Sequence, residues 1–240
     1  RGKYVRAAIS ALSNIKDAGG VNRAYQIQHT ILDTKKQGLP HSRPRWYCVG
    51  ILYPAACVTP GGDQVDEEVQ QFFHHAVQGN FQFPADIECM PLETILDPEV
   101  GHFKQVQSKE ATRNILKAER EIREAGLDPR KDTCVICCDA SRRNASWMQN
   151  VSPCITKTDF RGLCITSKSR RMSLNEMFRL QGMDPSNFIL PTSSSETGKM
   201  IGNAMSLNVV ERLLWQLLTY VKILPKTHPQ RWWSGQAQEA

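Results

Sequence analysis

Two arginines, Arg43 and Arg45, stand two residues apart just ahead of the apolar run WYCVGILYP. Alternate residues of an extended segment point to the same side, so guanidiniums at this spacing can converge on one site at a sheet edge. Fixed positive charge of that kind stabilises negative charge as it develops in a reaction; two solvated arginines at a strand start are the plainer alternative. A second candidate is MIGNAMSLN, residues 200–208. There Gly202 lets the backbone approach a ligand closely, and amides at a helix start are free to donate hydrogen bonds. Without a ligand, the same residues make an ordinary helix start with Asn203 as cap. Basic residues gather at Arg142, Arg143, Arg161, Lys168, Arg170, Arg171 and Arg179, a grouping suited to a polyanionic partner.

The cysteines invite other chemistry and do not sustain it. Cys154 has basic neighbours of the kind that favour a thiolate, but Ile155 and Thr156 beside it read as strand, and we do not expect a nucleophile there. Cys134 and Cys137 form C-x-x-C; no second ligand pair at zinc spacing follows, so no metal is expected. Several of the 8 cysteines sit inside apolar runs, where a reduced thiol packs as a small hydrophobe. His74 and His75 lie on a helical pattern without a carboxylate pattern nearby and read as a solvated face.

Periodicity gives the elements that would position these residues. Residues 4–17 place Val5, Ala8, Ile9, Leu12 and Ile15 at helical spacing, closed by Gly19 and Gly20. YQIQHTILD alternates as a strand does, with Tyr25, Ile27 and Ile31 apolar, while WYCVGILYP suits a strand buried on both faces. Beyond it the texture changes. A short amphipathic helix holds Val65, Val69, Phe72, Phe73 and Ala76, and a Pro-broken stretch covers 81–100. A second helix holds Ile115, Leu116 and Ile122, with Gly126 as its left-handed stop. TCVICCDAS reads as a short buried strand and SPCITKTDFRGLCIT as a strand pair turning near Asp159–Gly162. Ser173 and Glu176 fit a capping box with Met172 and Met177 as its staple. The last element, over 203–224, puts Met205, Val209, Leu213, Leu214, Leu217, Leu218 and Val221 on one core-facing side.

The chain has 240 residues, with 30 Lys+Arg against 24 Asp+Glu and a net charge of +6. That is enough for one sizeable domain or two small ones, which excludes a disulfide-stapled miniprotein. With 40% hydrophobic and 22% charged residues the composition is globular rather than disordered. No apolar run approaches the ~20 residues of a membrane span. The opening RGKYVRAAIS, without Met or a signal-peptide core, reads as the interior of a longer protein.

The order of these pieces is more specific than any one of them. GLPHSRPRWYCVG resembles the Q-x-R-x-R block of the cytosine-5 DNA methyltransferases. RRMSLNEMFRLQGMDP resembles their late R-x-L-T-x-x-E-x-x-R-L-Q-G-F block, and GKMIGNAMSLNVVERLL their closing Q-I-G-N-A-V-P block. SPCITKTDFRG is similar to the S-P-x-x-T segment that follows the family's variable recognition domain. The resemblance implies an α/β fold: the C-terminal portion of a Rossmann-like sheet with an inserted, irregular target-recognition domain. It divides the chain into the end of the catalytic domain (1–51), the recognition region (52–150), the return to the catalytic domain (151–224) and a tail (225–240).

The same resemblance implies methyl transfer from S-adenosylmethionine to carbon 5 of a cytosine flipped out of double-stranded DNA. Arg45 would reach the O2 side of the base and Arg43 would support the catalytic loop and the base. Gly202, Asn203 and Ala204 would border the cofactor, and Arg142, Arg143, Arg161, Arg170 and Arg171 would meet DNA. Arg170, Ser173 and Glu176 would also hold the helix that docks the recognition domain. The expected setting is intracellular, with DNA, and in a eukaryote the nucleus; no membrane partner is expected. Departures exist: His41 stands for the family's Gln, Ser173 for its Thr, Leu174-Asn175 for Pro-Arg, and Met205-Ser206 for Val-Pro. The family's early blocks (the F-x-G cofactor loop, the Pro-Cys-Gln nucleophile and Glu-Asn-Val) do not occur ahead of the arginine block, and the last two occur nowhere in these 240 residues. We therefore expect a missing N-terminal half in the native chain and no activity from this portion alone. Two alternatives stay open: a non-catalytic nucleic-acid-binding module, and a relative acting on tRNA.

Overall fold

The computed structural model describes residues 2–17, 19–52, 81–99, 108–139, 146–158 and 160–224. The helix expected near 65–76, with His74 and His75, lies outside them, as do Arg142, Arg143 and the tail from 225. The chain divides into two compact units.

The first unit takes in described residues 2–32, 45–52, 81–84 and 211–224. Helix α1, Lys3–Ser13, stops short of the expected end at 17 because Lys16 bridges Arg23 instead, with the Ile15 carbonyl accepting from Ala24 N–H at 2.8 Å. Gly20, at φ +69°, supplies the left-handed residue of the turn between them. None of α1 is buried; Val5, Ile9 and Leu12 are half-exposed. Strand β1, Tyr25–Asp33, pairs with β2, Pro44–Leu52, in a two-stranded sheet. The expectation of a β2 buried on both faces is corrected. Tyr47, Val49 and Ile51 are buried, whereas Trp46 and Cys48 are half-exposed and Gly50 is exposed. Among the described residues only one layer covers this strand: Phe81, Phe83, Leu213, Leu217, Tyr220 and Val221 pack on Val49 and Ile51. One covered face gives burial with period two.

The second unit holds described residues 33–44, 85–99, 108–139, 146–158 and 160–210. Its antiparallel sheet runs β4-β3-β5-β6, from β3 (Cys134–Cys137), β4 (Trp147–Gln149), β5 (Leu163–Ile165) and β6 (Arg170–Arg171). Here the short apolar strand is buried on both sides. Ile136, Cys138 and Cys164 face Ala111, Ile115 and Ala118 of helix α2, Lys109–Glu124. Val135, Leu163 and Ile165 face the main core of Leu92, Ile155, Met177, Phe178, Leu180 and Ile201. Successive strand residues point to opposite faces, which is why adjacent residues serve two cores. SPCIT is not a strand, against expectation; its backbone makes one bridge, Ser152 to His41.

The helices obey local rules. Gly126 (φ +82°) ends α2 with Gly126 N–H on Arg123 O and Leu127 N–H on Ile122 O, the paired bonds of a Schellman stop. Helix α3, Leu174–Leu180, opens on the Ser173–Glu176 capping box, with Met172 and Met177 both in the main core. Helices α4, Ser194–Asn203, and α5, Leu207–Tyr220, replace the single helix expected over 203–224. Ala204 is extended (ψ 152°) and breaks the run, which leaves Met205 exposed along with Leu214. Leu116 is likewise exposed on α2.

Candidate active site

Arg43 lies just ahead of β2, only 3% exposed, and its guanidinium sews three segments of the second unit together. Nη1 donates to Ile155 O at 2.6 Å; Nη2 donates to Gly202 O at 3.1 Å and to Ala204 O at 2.6 Å. Its backbone N–H donates to Asp33 Oδ1 at 2.8 Å, which fixes the loop from which the side chain projects. A planar fork of five donors suits several carbonyls at fixed angles, a geometry an ammonium group does not reproduce.

Neighbouring polar groups repeat the pattern. His41, fully buried, accepts the Ile155 N–H on Nε2 at 3.1 Å, which assigns that nitrogen as the unprotonated one. Thr34 Oγ1 donates to Ser206 Oγ at 2.7 Å, and Ser206 Oγ to Gln181 Oε1 at 2.9 Å. Gln181 Nε2 donates to Ile201 O at 2.9 Å, and Asn208 Nδ2 to Gln37 O at 2.7 Å. All of these side chains are buried, where a hydrogen-bonded network fixes one arrangement and an unmade bond is costly. The arginine loop, the 152–156 segment and the 201–208 turn thus form one rigid frame. Sequence reading missed His41, Gln181, Ser206 and Asn208. His41 and Ser206 are the positions where this chain departs from the family blocks, and that departure was the available signal.

Gly202 is packed rather than open. A Cβ there would lie 2.5 Å from Thr156 C and 2.7 Å from Lys157 N, so main chain of 156–157 occupies the Cβ side of Gly202. With the Gly202 and Ala204 carbonyls engaged by Arg43, Asn203 is the member of the trio whose side chain is exposed, with a donor and an acceptor to offer. Asn203 is thus the residue here with polar atoms available to a cofactor, and the Gly202 and Ala204 carbonyls serve as scaffold. Arg45, by contrast with Arg43, is exposed at the start of β2.

The basic cluster separates in the same way. Arg170 makes a two-toothed pair with Glu176, Nη2 to Oε1 at 2.7 Å and Nη1 to Oε2 at 2.9 Å. Glu176 has no exposure and also accepts the Ser173 and Asp97 N–H groups at 2.6 and 2.8 Å. Arg171 binds both oxygens of Asp139, at 2.8 and 3.2 Å, and the carbonyl of Arg161. Arg170 is therefore engaged by a buried carboxylate and Arg171 by the exposed Asp139, while Arg161 is exposed, stacked over the Phe160 ring. Arg179 closes the arrangement with a 2.7 Å pair to Asp97. Burial pushes the Asp97 carboxyl up, but hydrogen bonds from Arg179 and Ser173 and the charges of Arg179 and Arg170 outweigh it and hold it below its ordinary value.

With this geometry in place, the comparisons with known proteins identify the class. The profile of the C-5 cytosine-specific DNA methylases matches residues 6–219, and the chain belongs to that family. Among solved structures the chain is similar to the S. pombe Dnmt2 methyltransferase, at 15% identity and a TM-score of 0.48, over 92% of this chain and 64% of that one. It is also similar to the Entamoeba histolytica methyltransferase EhMeth, at 19% identity and a TM-score of 0.47, over 83% of this chain and 55% of that one. The chain thus spans under two thirds of the length of either. No curated protein matches it.

Proposed function

We propose that the chain is the C-terminal portion of an enzyme that transfers the methyl group of S-adenosylmethionine to carbon 5 of cytosine in DNA. The observation that carries the reading is the Arg43 clamp. One side chain from the arginine block holds main-chain carbonyls of the S-P-x-x-T segment and of the closing G-N-A block, 112 to 161 residues away in sequence. Blocks that the family keeps separate in sequence meet at one buried group.

In this reading S-adenosylmethionine, when bound, supplies an electrophilic methyl group, and Asn203 borders it. Arg43 is a positioning residue: it fixes the carbonyls of 155, 202 and 204 so that Asn203 is presented in one place. Arg45, exposed, meets the O2 side of the flipped cytosine and stabilises negative charge on the ring. Arg161, with Arg142 and Arg143, binds phosphates, whereas Arg170 holds the segment at 97–99 and Arg171 holds Asp139 and the Arg161 carbonyl. The nucleophilic thiolate belongs to a Pro-Cys-Gln block beyond these residues. Purified 1–240, given S-adenosylmethionine labelled on its methyl and cytosine-containing duplex, is expected to incorporate no more label than a no-enzyme blank; incorporation above the blank overturns the assignment of the nucleophile. The absence of Pro-Cys-Gln from the 240 residues favours a second reading, a non-catalytic nucleic-acid-binding module. Reading the native transcript upstream of Arg1 separates the two, and competition between duplex DNA and tRNA, with the salt slope of each, separates a DNA substrate from an RNA one.

A further inference from the structure

Two thiols outside the Arg43 frame are in contact. Cys138 Sγ and Cys164 Sγ lie 3.2 Å apart, both side chains fully buried beneath α2. Strand register explains the meeting. In β3–β5 pairing Cys137 is opposite Leu163 and Ile136 opposite Cys164, so Cys138 is the diagonal neighbour of Cys164 on the α2-facing side. Cys137 points to the other side, against the main core. Cys138 follows the last residue of β3 and precedes exposed Asp139; its N–H donates to Gly162 O at 2.7 Å and its carbonyl accepts from Asn114 Nδ2 at 2.8 Å, which holds its side chain over Cys164. A disulfide has an S–S length of about 2.05 Å, and the sulfurs must approach by roughly another 1.2 Å to form it.

We propose that Cys138 and Cys164 form a reversible disulfide that fastens β3 to β5 next to the Arg171–Asp139 pair. With hydrogen peroxide as oxidant, the Cys138 thiolate attacks one peroxide oxygen and the O–O bond breaks. This leaves a sulfenic acid and hydroxide, which takes up the proton Cys138 lost and leaves as water. Cys164 sulfur then displaces the sulfenic hydroxyl, which leaves as a second water with the Cys164 proton. In sum, two thiols and one peroxide give one disulfide and two waters. The environment assists the order of events. A hydrogen bond from the Cys164 thiol draws the Cys138 thiol down, against burial and Asp139 and with help from Arg171, while the same contact and burial push the Cys164 thiol up. Cys138 is accordingly the attacking sulfur and Cys164 the resolving one. The strand end next to exposed Asp139 is the route by which oxidant enters, through local opening.

The test uses the purified 240-residue chain, reduced, freed of reductant, treated with hydrogen peroxide and quenched. Remaining thiols are alkylated in denaturant and tryptic peptides are mapped. The expected product joins DTCVICCDASR (132–142) to GLCITSK (162–168), with fragmentation placing the bond on Cys138, and dithiothreitol reverses it. It should form on the order of tenfold faster than any other cross-link, since the resolving thiol is already in contact. Cys138→Ser and Cys164→Ser should each abolish it, and Cys137→Ser should leave it. A bond at Cys134 or Cys137, irreversible oxidation of Cys138 without a cross-link, or no cross-link at all would overturn the proposal. The wild-type fragmentation map decides the matter even if a serine variant folds poorly.

Discussion

Arg43 and Arg170 are both withdrawn into the protein, and they are held in different ways. Arg43 grips main-chain carbonyls of Ile155, Gly202 and Ala204, whereas Arg170 grips the Glu176 carboxylate with two parallel bonds and reaches the carbonyls of Asp97 and Glu99 at its rim. A carboxylate can be substituted together with its arginine; a backbone carbonyl cannot. The Arg170–Glu176 pair is therefore a strut whose ionic part is replaceable, and the Arg43 clamp is part of the chain's path.

Three substitutions test the contrast. The largest loss is expected for Glu176→Ala, which strands Arg170 and removes the capping box and the Asp97 N–H acceptor together, about 3–5 kcal/mol in urea unfolding. Arg43→Met should cost on the order of 3 kcal/mol, from buried carbonyls left without donors. In the double variant Arg170→Met, Glu176→Met no charge is stranded, but the Ser173 and Asp97 N–H groups and the Asp97 and Glu99 carbonyls lose their partners, so the loss should fall only to roughly 2–3 kcal/mol. A double variant as damaged as Glu176→Ala would break the comparison, making the pair as irreplaceable as the clamp.

Acid should act on the strut side through Asp97. The folded Asp97 carboxyl sits below its ordinary value of 3.8, so its pair with Arg179 stabilises the fold above that value. The contribution is lost as pH falls through the lower folded value, below about pH 4. Asp97→Asn should flatten that part of the stability–pH curve, while Arg43→Met should leave its shape unchanged. An unchanged curve in Asp97→Asn would show that other carboxylates set it.

Much of the second unit was legible beforehand, because its signals are local. Ser173 with Glu176, Met172 with Met177, and Gly126 each act within a turn or two of helix, and each stands where the pattern put it. The short run at Cys134–Cys137 carried its two-sided burial in composition alone. What failed was non-local. WYCVGILYP cannot say how many layers will cover it, and SPCIT is apolar enough for a strand but is held by His41 and Arg43 instead. The break at Ala204 has the same origin: its carbonyl is turned to a guanidinium 161 residues away, which no helical periodicity records. Alternation alone makes Arg43 and Arg45 equivalents; that Arg43 is buried on main-chain carbonyls while Arg45 is exposed depends on segments more than a hundred residues away.

The most direct test of the account is methyl transfer by the native protein that carries these residues, with Arg45→Ala beside it. Labelled S-adenosylmethionine and a cytosine-containing duplex are supplied, with a 5-methylcytosine duplex as control. The account predicts label at carbon 5 of cytosine, none on the control duplex, and a far greater loss of turnover than of DNA affinity in Arg45→Ala. Tight DNA binding without label, or equal loss of turnover and affinity in the variant, would contradict it.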